Sequence, residues 1–286
     1  MVHKTNNTRK GSASSGTFTR LGRYSAEAAS WTLGLFYWLL QQTRNDCHNL
    51  QLTQSITRGF ALSPRVVSFL QPLDLAGDDS ATPSTGKCSV HTGLRKRQFE
   101  AGRCCAASLL ESLGSGDTLV SVHEDLSPMW PVGYVGSISH TDTLLGVAVA
   151  RSSDLRAIGI DIEGIVSLQI AREIEQMCLN QSELLRRVWL GFDRRIYAAL
   201  CFSAKEALFK CLYPLVQRYF DFHDAEIIDI CHRMGTVRLR LTQDLSDEFK
   251  TGNILVGRYR WDGVHVFTSF ELPRQEVAKD YLYHSL

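Results

Sequence analysis

From Arg194 to Tyr213 the chain contains neither Gly nor Pro, and within that run the segment FSAKEALFK, Phe202 to Lys210, sets a carboxylate, Glu206, between two lysines, Lys205 and Lys210. Apolar residues at Ala199, Phe202, Leu208, Phe209 and Leu212 recur at steps that suit one buried helix. On that helix Glu206 and Lys210 share a face, while Lys205 points about 100° away. Two readings follow from these residues alone. Glu-to-Lys pairs at this spacing are common on exposed helix faces and contribute little. The same residues in an apolar helix also suit a charged site, and the remaining chain has to separate the two.

At 286 residues and 44% apolar composition, the chain can bury one large core or two modest ones. A net charge of +1 argues against a protein built mainly to bind nucleic acid. Eight cysteines are scattered without a CxxC pair, several of them in apolar segments, which predicts core thiols in a reducing compartment such as the cytoplasm. The apolar run Trp31 to Leu40 is too short to span a bilayer and reads as a buried helix or strand. Residues 1–25 are basic, rich in Ser, Thr and Asn, and precede the first acid, Glu27. That composition predicts a flexible tail, and an organelle-targeting segment has the same chemistry.

The pattern along the chain predicts a mixture of helices and strands. Val66 to Leu70 reads as a strand, Asp74 to Gly86 as a loop, and Arg95 to Leu113 as a helix with a basic first turn that ends at Gly114. Val132 to Ile138 and Leu144 to Ala150 read as strands around a polar turn, Ser139 to Asp142. After a polar link at Arg151 to Arg156, where a domain boundary is expected, Ala157 to Ile165 reads as a further strand. Helices are predicted at Ser167 to Leu179 and Ser182 to Leu190, and strands near Ala225 to Ile230 and Val237 to Leu241. Ile254 to Trp261 and Val264 to Phe270 form a hairpin around Asp262-Gly263, a pair that suits a tight primed turn. Both halves hold a helix and several strands, as two similar subdomains meeting along a cleft would.

In Gly159-Ile160-Asp161-Ile162-Glu163 the alternation of a strand puts Asp161 and Glu163 on one face. Like charges held together raise each other's pKa unless a cation relieves them, and a hard divalent ion such as magnesium is the usual relief. An exposed polar strand face fits the same pattern. With Glu206 as a third carboxylate, such an ion would keep positions open for phosphate oxygens, and Lys205 and Lys210 would add phosphate-facing charge. Arg95 and Arg103, near one helix face, suit a second phosphate group or a solvated helix end.

Four segments, RKRQFEAGRCCA at Arg95 to Ala106, PVGYVGSISHT at Pro131 to Thr141, GIDIE at Gly159 to Glu163 and FSAKEALFK, together resemble the 4'-phosphopantetheinyl transferases, in particular the Sfp-type enzymes of the EntD-like siderophore branch. The resemblance implies an α+β fold of two similar α/β subdomains related by pseudo-twofold symmetry, with the active site in the cleft between them. It divides the chain into the tail, an N-terminal subdomain at 26–156 on the coenzyme A 3'-phosphate side, and a C-terminal subdomain at 157–286 on the magnesium and diphosphate side. It implies Asp161, Glu163 and Glu206 as magnesium ligands, Lys205 on the coenzyme A diphosphate with Lys210 in support, and Arg95, Arg103, His140 and Ser139 around the 3'-phosphate. Relatives in this branch often carry a basic residue shortly before the Pro-x-Trp-Pro element, where this chain has Asp125-Leu126-Ser127. The implied activity is transfer of the 4'-phosphopantetheine arm of coenzyme A to a serine of an apo acyl or peptidyl carrier protein by a cytoplasmic monomer, with Asp161, Lys205 and Glu206 as catalytic residues. Glu206, or a water on the metal, would take the serine proton. A metal-dependent phosphohydrolase or nuclease, or a non-catalytic coenzyme A or carrier-protein binding module, would share part of this residue set.

Overall fold

The computed structural model describes residues 59–73 and 90–274, with side chains from residue 97 onward in the second span. The basic tail, the apolar run at 31–40 and the loop at 74–86 lie outside the described residues. Runs of strands and runs of helices succeed one another along the described chain, an α+β arrangement. Strand β1 (Val66–Pro72) precedes helix α1 (Val90–Ser112), a small pair β2 (Ser121–Val122) and β3 (Pro128–Met129), and the long strands β4 (Tyr134–His140), β5 (Leu144–Arg151) and β6 (Leu155–Gly164). Helices α2 (Leu168–Cys178), α3 (Gln181–Leu190) and α4 (Arg194–Val216) follow, then a 3-10 turn (Phe222–Asp224) and strands β7 (Ala225–Cys231), β8 (Thr236–Leu241), β9 (Ile254–Trp261) and β10 (His265–Pro273).

The strands form a three-stranded sheet, β1-β5-β4, a five-stranded sheet, β6-β10-β9-β8-β7, and the β2-β3 pair. The unbroken apolar run of β5 is explained by cover on both faces. Leu145, Val147 and Val149 pack against Ala106 and Leu110 of α1, while Ala148 and Ala150 meet Ile158 and Ile160 of β6. Strand β6 is therefore a sheet edge pressed against a second sheet. Two of its amides, at Ile160 and Ile162, donate to the side-chain oxygens of Ser137 (3.1 Å) and Ser139 (3.2 Å) on β4. Serine hydroxyls thus satisfy an edge that a neighbouring backbone would otherwise have to pair. This changes the expected position of Ser139 and His140, which belong to β4 and not to the turn; the turn is Thr141 to Thr143.

The other face of β6 receives α4. A Cβ on Gly159 would stand 2.0 Å from the carbonyl oxygen of Ala207 and 2.5 Å from the amide nitrogen of Cys211, so helix backbone lies directly on strand backbone there. Helix α4 also runs one turn beyond the expected span, through Pro214 to Val216. A proline in the last turn removes only one helical bond, and the left-handed Gln217 ends the helix. At the 262–264 connection Gly263 has positive φ, and the Asp262 carboxylate accepts from the amides of Val264 and His265. Of the described cysteines, Cys178, Cys201 and Cys211 are buried as expected, with thiols pushed up by burial, whereas Cys104 is exposed.

Gly159→Ala should cost about 3 kcal/mol or more, because rigid backbone on both sides must give way. Gly164→Ala, where a Cβ meets nothing within 4 Å, should be nearly neutral by comparison. Denaturant melts of the two variants check the pair.

Candidate active site

Strand alternation and the glycine contact set which way the chemistry faces. Gly159, Asp161 and Glu163 project to the α4 side of β6, and the isoleucines between them project into the core. Thr268, the cross-strand partner of Asp161 on β10, binds the hydroxyl and carbonyl of Ser203 on α4, both at 2.8 Å. Helix α4 is thereby registered against the sheet where it presents Glu206 and Lys210.

Asp161 is 3% exposed. Its Oδ1 accepts from the Lys210 ammonium at 2.6 Å and from the Ser139 hydroxyl at 2.9 Å, and Lys210 also reaches Ser139 Oγ at 3.3 Å. Asp161 Oδ2 is buried without a hydrogen-bond partner. Glu163 lies close enough to be affected: burial, then the neighbouring Asp161 and Glu206 carboxylates, push it well above the usual carboxylate range against the pull of Lys210. Burial, with the nearby Asp161 charge, pushes Glu206 up to about 7 although Lys210 acts in the opposite sense. At Lys210 burial disfavours the ammonium, but Asp161, Glu206 and Glu163 outweigh it and raise its pKa. The exposed-pair reading of Glu206 and Lys210 is therefore displaced by a half-buried group in which the Lys210 ammonium pairs with Asp161 and acts on Glu163 and Glu206 from nearby.

Lys205 takes a different direction from the one expected. Its ammonium is enclosed and donates to the carbonyls of Cys178 (2.7 Å) and Phe222 (2.9 Å), with the Glu183 carboxylate 2.8 Å away. Glu183 is fully buried; its other bonds come from the amides of Ile227 and Asn180, both at 2.8 Å. All three ammonium protons are thus used in joining α4 to α2, α3 and the 3-10 turn, and Glu183 extends the link to β7. The lysine that faces the carboxylates is Lys210. Glu183, which sequence reasoning passed over, carries a readable signal only as the N3 partner in the capping box of α3 with Asn180.

The remaining expected residues are partly assembled. Arg103 lies on α1 with its guanidinium over the Phe99 ring, 4.4 Å from the centroid, and burial lowers its pKa. Arg95 is on the same helix, and its side chain lies outside the described residues. His140 ends β4, half-buried, and Gln98 of α1 donates to the Thr141 carbonyl beside it at 3.3 Å. Asp125, at the departure from the expected basic residue, accepts from the Ser127 amide and from the Tyr213 hydroxyl of α4; the Ser127 side chain first, then Tyr213 and the Ser127 amide, hold it down at about 2.

The donor chemistry suits a hard divalent cation: three carboxylates, of which Glu163 and Glu206 are raised by burial and by the charge of Asp161, and a buried carboxylate oxygen left without a partner. Among the described residues no three carboxylate, His or Cys groups converge on one point as a bound ion would require. In this arrangement the Lys210 ammonium stands at the Asp161 oxygen instead.

Residues 157–262 match the family model described as the 4'-phosphopantetheinyl transferase superfamily, and residues 88–150 match that of the 4'-phosphopantetheinyl transferase N-terminal domain, together more than half of the chain. The chain belongs to the 4'-phosphopantetheinyl transferase superfamily. Among curated relatives, the 4'-phosphopantetheinyl transferase Npt of Nocardia iowensis is 36% identical over 46% of this chain and 59% of its own length. For the 4'-phosphopantetheinyl transferase Svp of Streptomyces mobaraensis the figures are 35%, 46% and 54%. Enterobactin synthase component D of Escherichia coli is 37% identical over 48% of this chain and 64% of its own length. The chain thus spans between 54% and 64% of the length of these relatives. Asp161, Glu163, Glu206 and Lys210 all fall inside the superfamily match.

Two outcomes test this geometry. Lys205→Met leaves the Glu183 carboxylate buried and unpaired and should cost about 3–5 kcal/mol, whereas Lys205→Met/Glu183→Leu should recover much of that loss, as chemical denaturation would show. For Glu206, a folded pKa raised to about 7 means that its neutral form stabilises the fold fully below the ordinary value of 4.5, and that this contribution is lost as pH rises through 7. In EDTA, Glu206→Gln should therefore melt near the unsubstituted protein at pH 5 and above it at pH 8.

Proposed function

We propose that the protein transfers the 4'-phosphopantetheine arm of coenzyme A to a serine hydroxyl of an apo acyl or peptidyl carrier protein, giving holo-carrier and 3',5'-ADP. The observation that carries the reading is the half-buried cluster of Asp161, Glu163, Glu206 and Lys210, formed where two segments of a phosphopantetheinyl transferase match face each other. When bound, magnesium held by Asp161, Glu163 and Glu206 would draw charge from the coenzyme A diphosphate. The chain's own groups do the rest. Lys210 stands on the open side of the cluster, with 28% of its side chain accessible, and is placed to receive a phosphate oxygen. Lys205, buried and fully bonded, is assigned to holding α4.

The serine oxygen attacks the phosphorus that bears pantetheine, the bond from that phosphorus to the bridging oxygen breaks, and 3',5'-ADP departs with the oxygen. Glu206, poised near neutral pH, accepts the serine proton. Arg95, Arg103 and His140 are assigned to the 3'-phosphate end, a grouping supported by the bond from Gln98 on α1 to Thr141 after β4. Ser139 is removed from that group, since its hydroxyl donates to Asp161 and accepts from β6. The reading includes two similar subdomains with coenzyme A in a cleft between them, and a cytoplasmic enzyme acting as a monomer. Among the described residues no helix is long and apolar enough to cross a membrane. The relative named enterobactin synthase component D makes siderophore carriers the first substrates to try.

Incubation with coenzyme A, magnesium and a panel of apo-carriers should add phosphopantetheine to at least one, seen as a mass gain on the carrier. Asp161→Asn should lower kcat by about 100-fold or more, since it removes charge from the group that anchors the cluster. Coenzyme A hydrolysis without carrier modification would instead favour a phosphohydrolase.

A further inference from the structure

We propose that the Lys210 ammonium is the resident cation of the carboxylate cluster, that it competes with the divalent ion for Asp161, and that ion binding releases it toward the anionic group of the substrate. The inference rests on the reading of Asp161, Glu163 and Glu206 as ligands of that ion. Three carboxylates packed into a half-buried site cannot all stay charged without a compensating cation. Lys210 is the cation present: its Nζ is 2.6 Å from Asp161 Oδ1, and it also reaches Ser139 Oγ at 3.3 Å. The other oxygen of that carboxylate, Oδ2, is buried without a partner, so an ion drawn to Asp161 meets a carboxylate that already carries the ammonium. The neighbouring Lys205 does not share the task, because its side chain is 2% exposed and its ammonium is bonded to Glu183, Cys178 and Phe222.

The two lysines differ in how many of their protons are committed. An ammonium has three protons. Those of Lys205 are all taken, by two backbone carbonyls and the Glu183 carboxylate, so it is fixed. Lys210 has contacts to Asp161 and Ser139 and 28% of its side chain accessible, so its flexible stem can swing without leaving the surface of the cluster. Ser139 is suited to the exchange: its hydroxyl donates to Asp161 and accepts from the Ile162 amide, and both bonds persist when the ammonium leaves. The lysine thus holds the carboxylates together before the ion arrives, and its departure delivers a positive charge next to the ion.

The experiment measures Mn2+ affinity of the full-length protein in the absence of coenzyme A, by electron paramagnetic resonance of free Mn2+, for the unsubstituted protein, Lys210→Met and Lys210→Gln. Removing the competing charge should tighten binding at least about tenfold in both variants. Equal or weaker binding in a variant with an unaltered circular dichroism spectrum overturns the proposal, because a lysine that only orders the ligands, or that touches only substrate, gives that result. A second measurement needs no variant: reductive methylation of the unsubstituted protein, mapped by mass spectrometry, should modify Lys210 faster with Mn2+ than with EDTA while Lys205 stays unmodified in both. Equal rates at Lys210 overturn the proposal. An unsubstituted protein that binds no Mn2+ overturns the ligand reading and this inference with it, whereas normal binding that Lys210→Met leaves unchanged overturns only the inference.

Discussion

Helix α4 approaches strand β6 until residue 159 has room for a hydrogen and nothing larger, and the charged contacts of the site follow from that approach. Backbone on backbone is stiff packing, since no side chain can adjust between the two elements. It sets the separation of Asp161 and Glu163 from Glu206 and Lys210, which would otherwise depend on long, variable side chains. A second anchor is needed because a helix touching a strand at one point can still roll about its own axis. The Lys205–Glu183 pair supplies it by tying α4 to α2, α3, the 3-10 turn and β7.

Those two anchors explain how a like-charge cluster survives inside a fold. The energy that pushes Glu163 up and Glu206 toward neutral pH is lost hydration first and repulsion second, and neither can relax while α4 is pinned. The rest of the core sustains that cost, with large apolar residues such as Ile158, Ile160, Leu208 and Leu212 fully enclosed around the polar patch. A carboxylate held near neutral pH can accept a proton at physiological pH, which an ordinary exposed glutamate does less effectively.

The α4 helix, the carboxylates on one face of β6, and the order of helices and strands were all legible in the sequence, because periodicity reports which face is buried. The periodicity of FSAKEALFK did not say which lysine turned inward to a partner. Positions 205 and 210 look alike in one dimension, and the difference lies in Glu183, a residue 22 positions upstream that closes on Lys205 only once α3 has folded back. Ser139 was misplaced for a related reason. A polar Ser-His pair between apolar runs reads as a turn, whereas here the hydroxyl replaces a backbone partner for β6. Distant side chains decide both cases, and single-sequence patterns carry little information about them.

Ser139 also joins two parts of the molecule that are separate in the chain. Its hydroxyl accepts from β6, donates to Asp161 and lies within reach of Lys210, so one atom touches the three-stranded sheet, the five-stranded sheet and α4. An apolar residue at 139 could pack against β6 but would leave the Ile162 amide unpaired and Asp161 with one donor fewer. A longer polar residue would crowd the seam where Ser137 repeats the same bond two positions earlier. Small hydroxyl side chains on alternate positions of β4 are therefore what allow two sheet edges to meet at a charged site without a continuous ladder between them, and the geometry of Asp161 depends on both halves of the described fold at once.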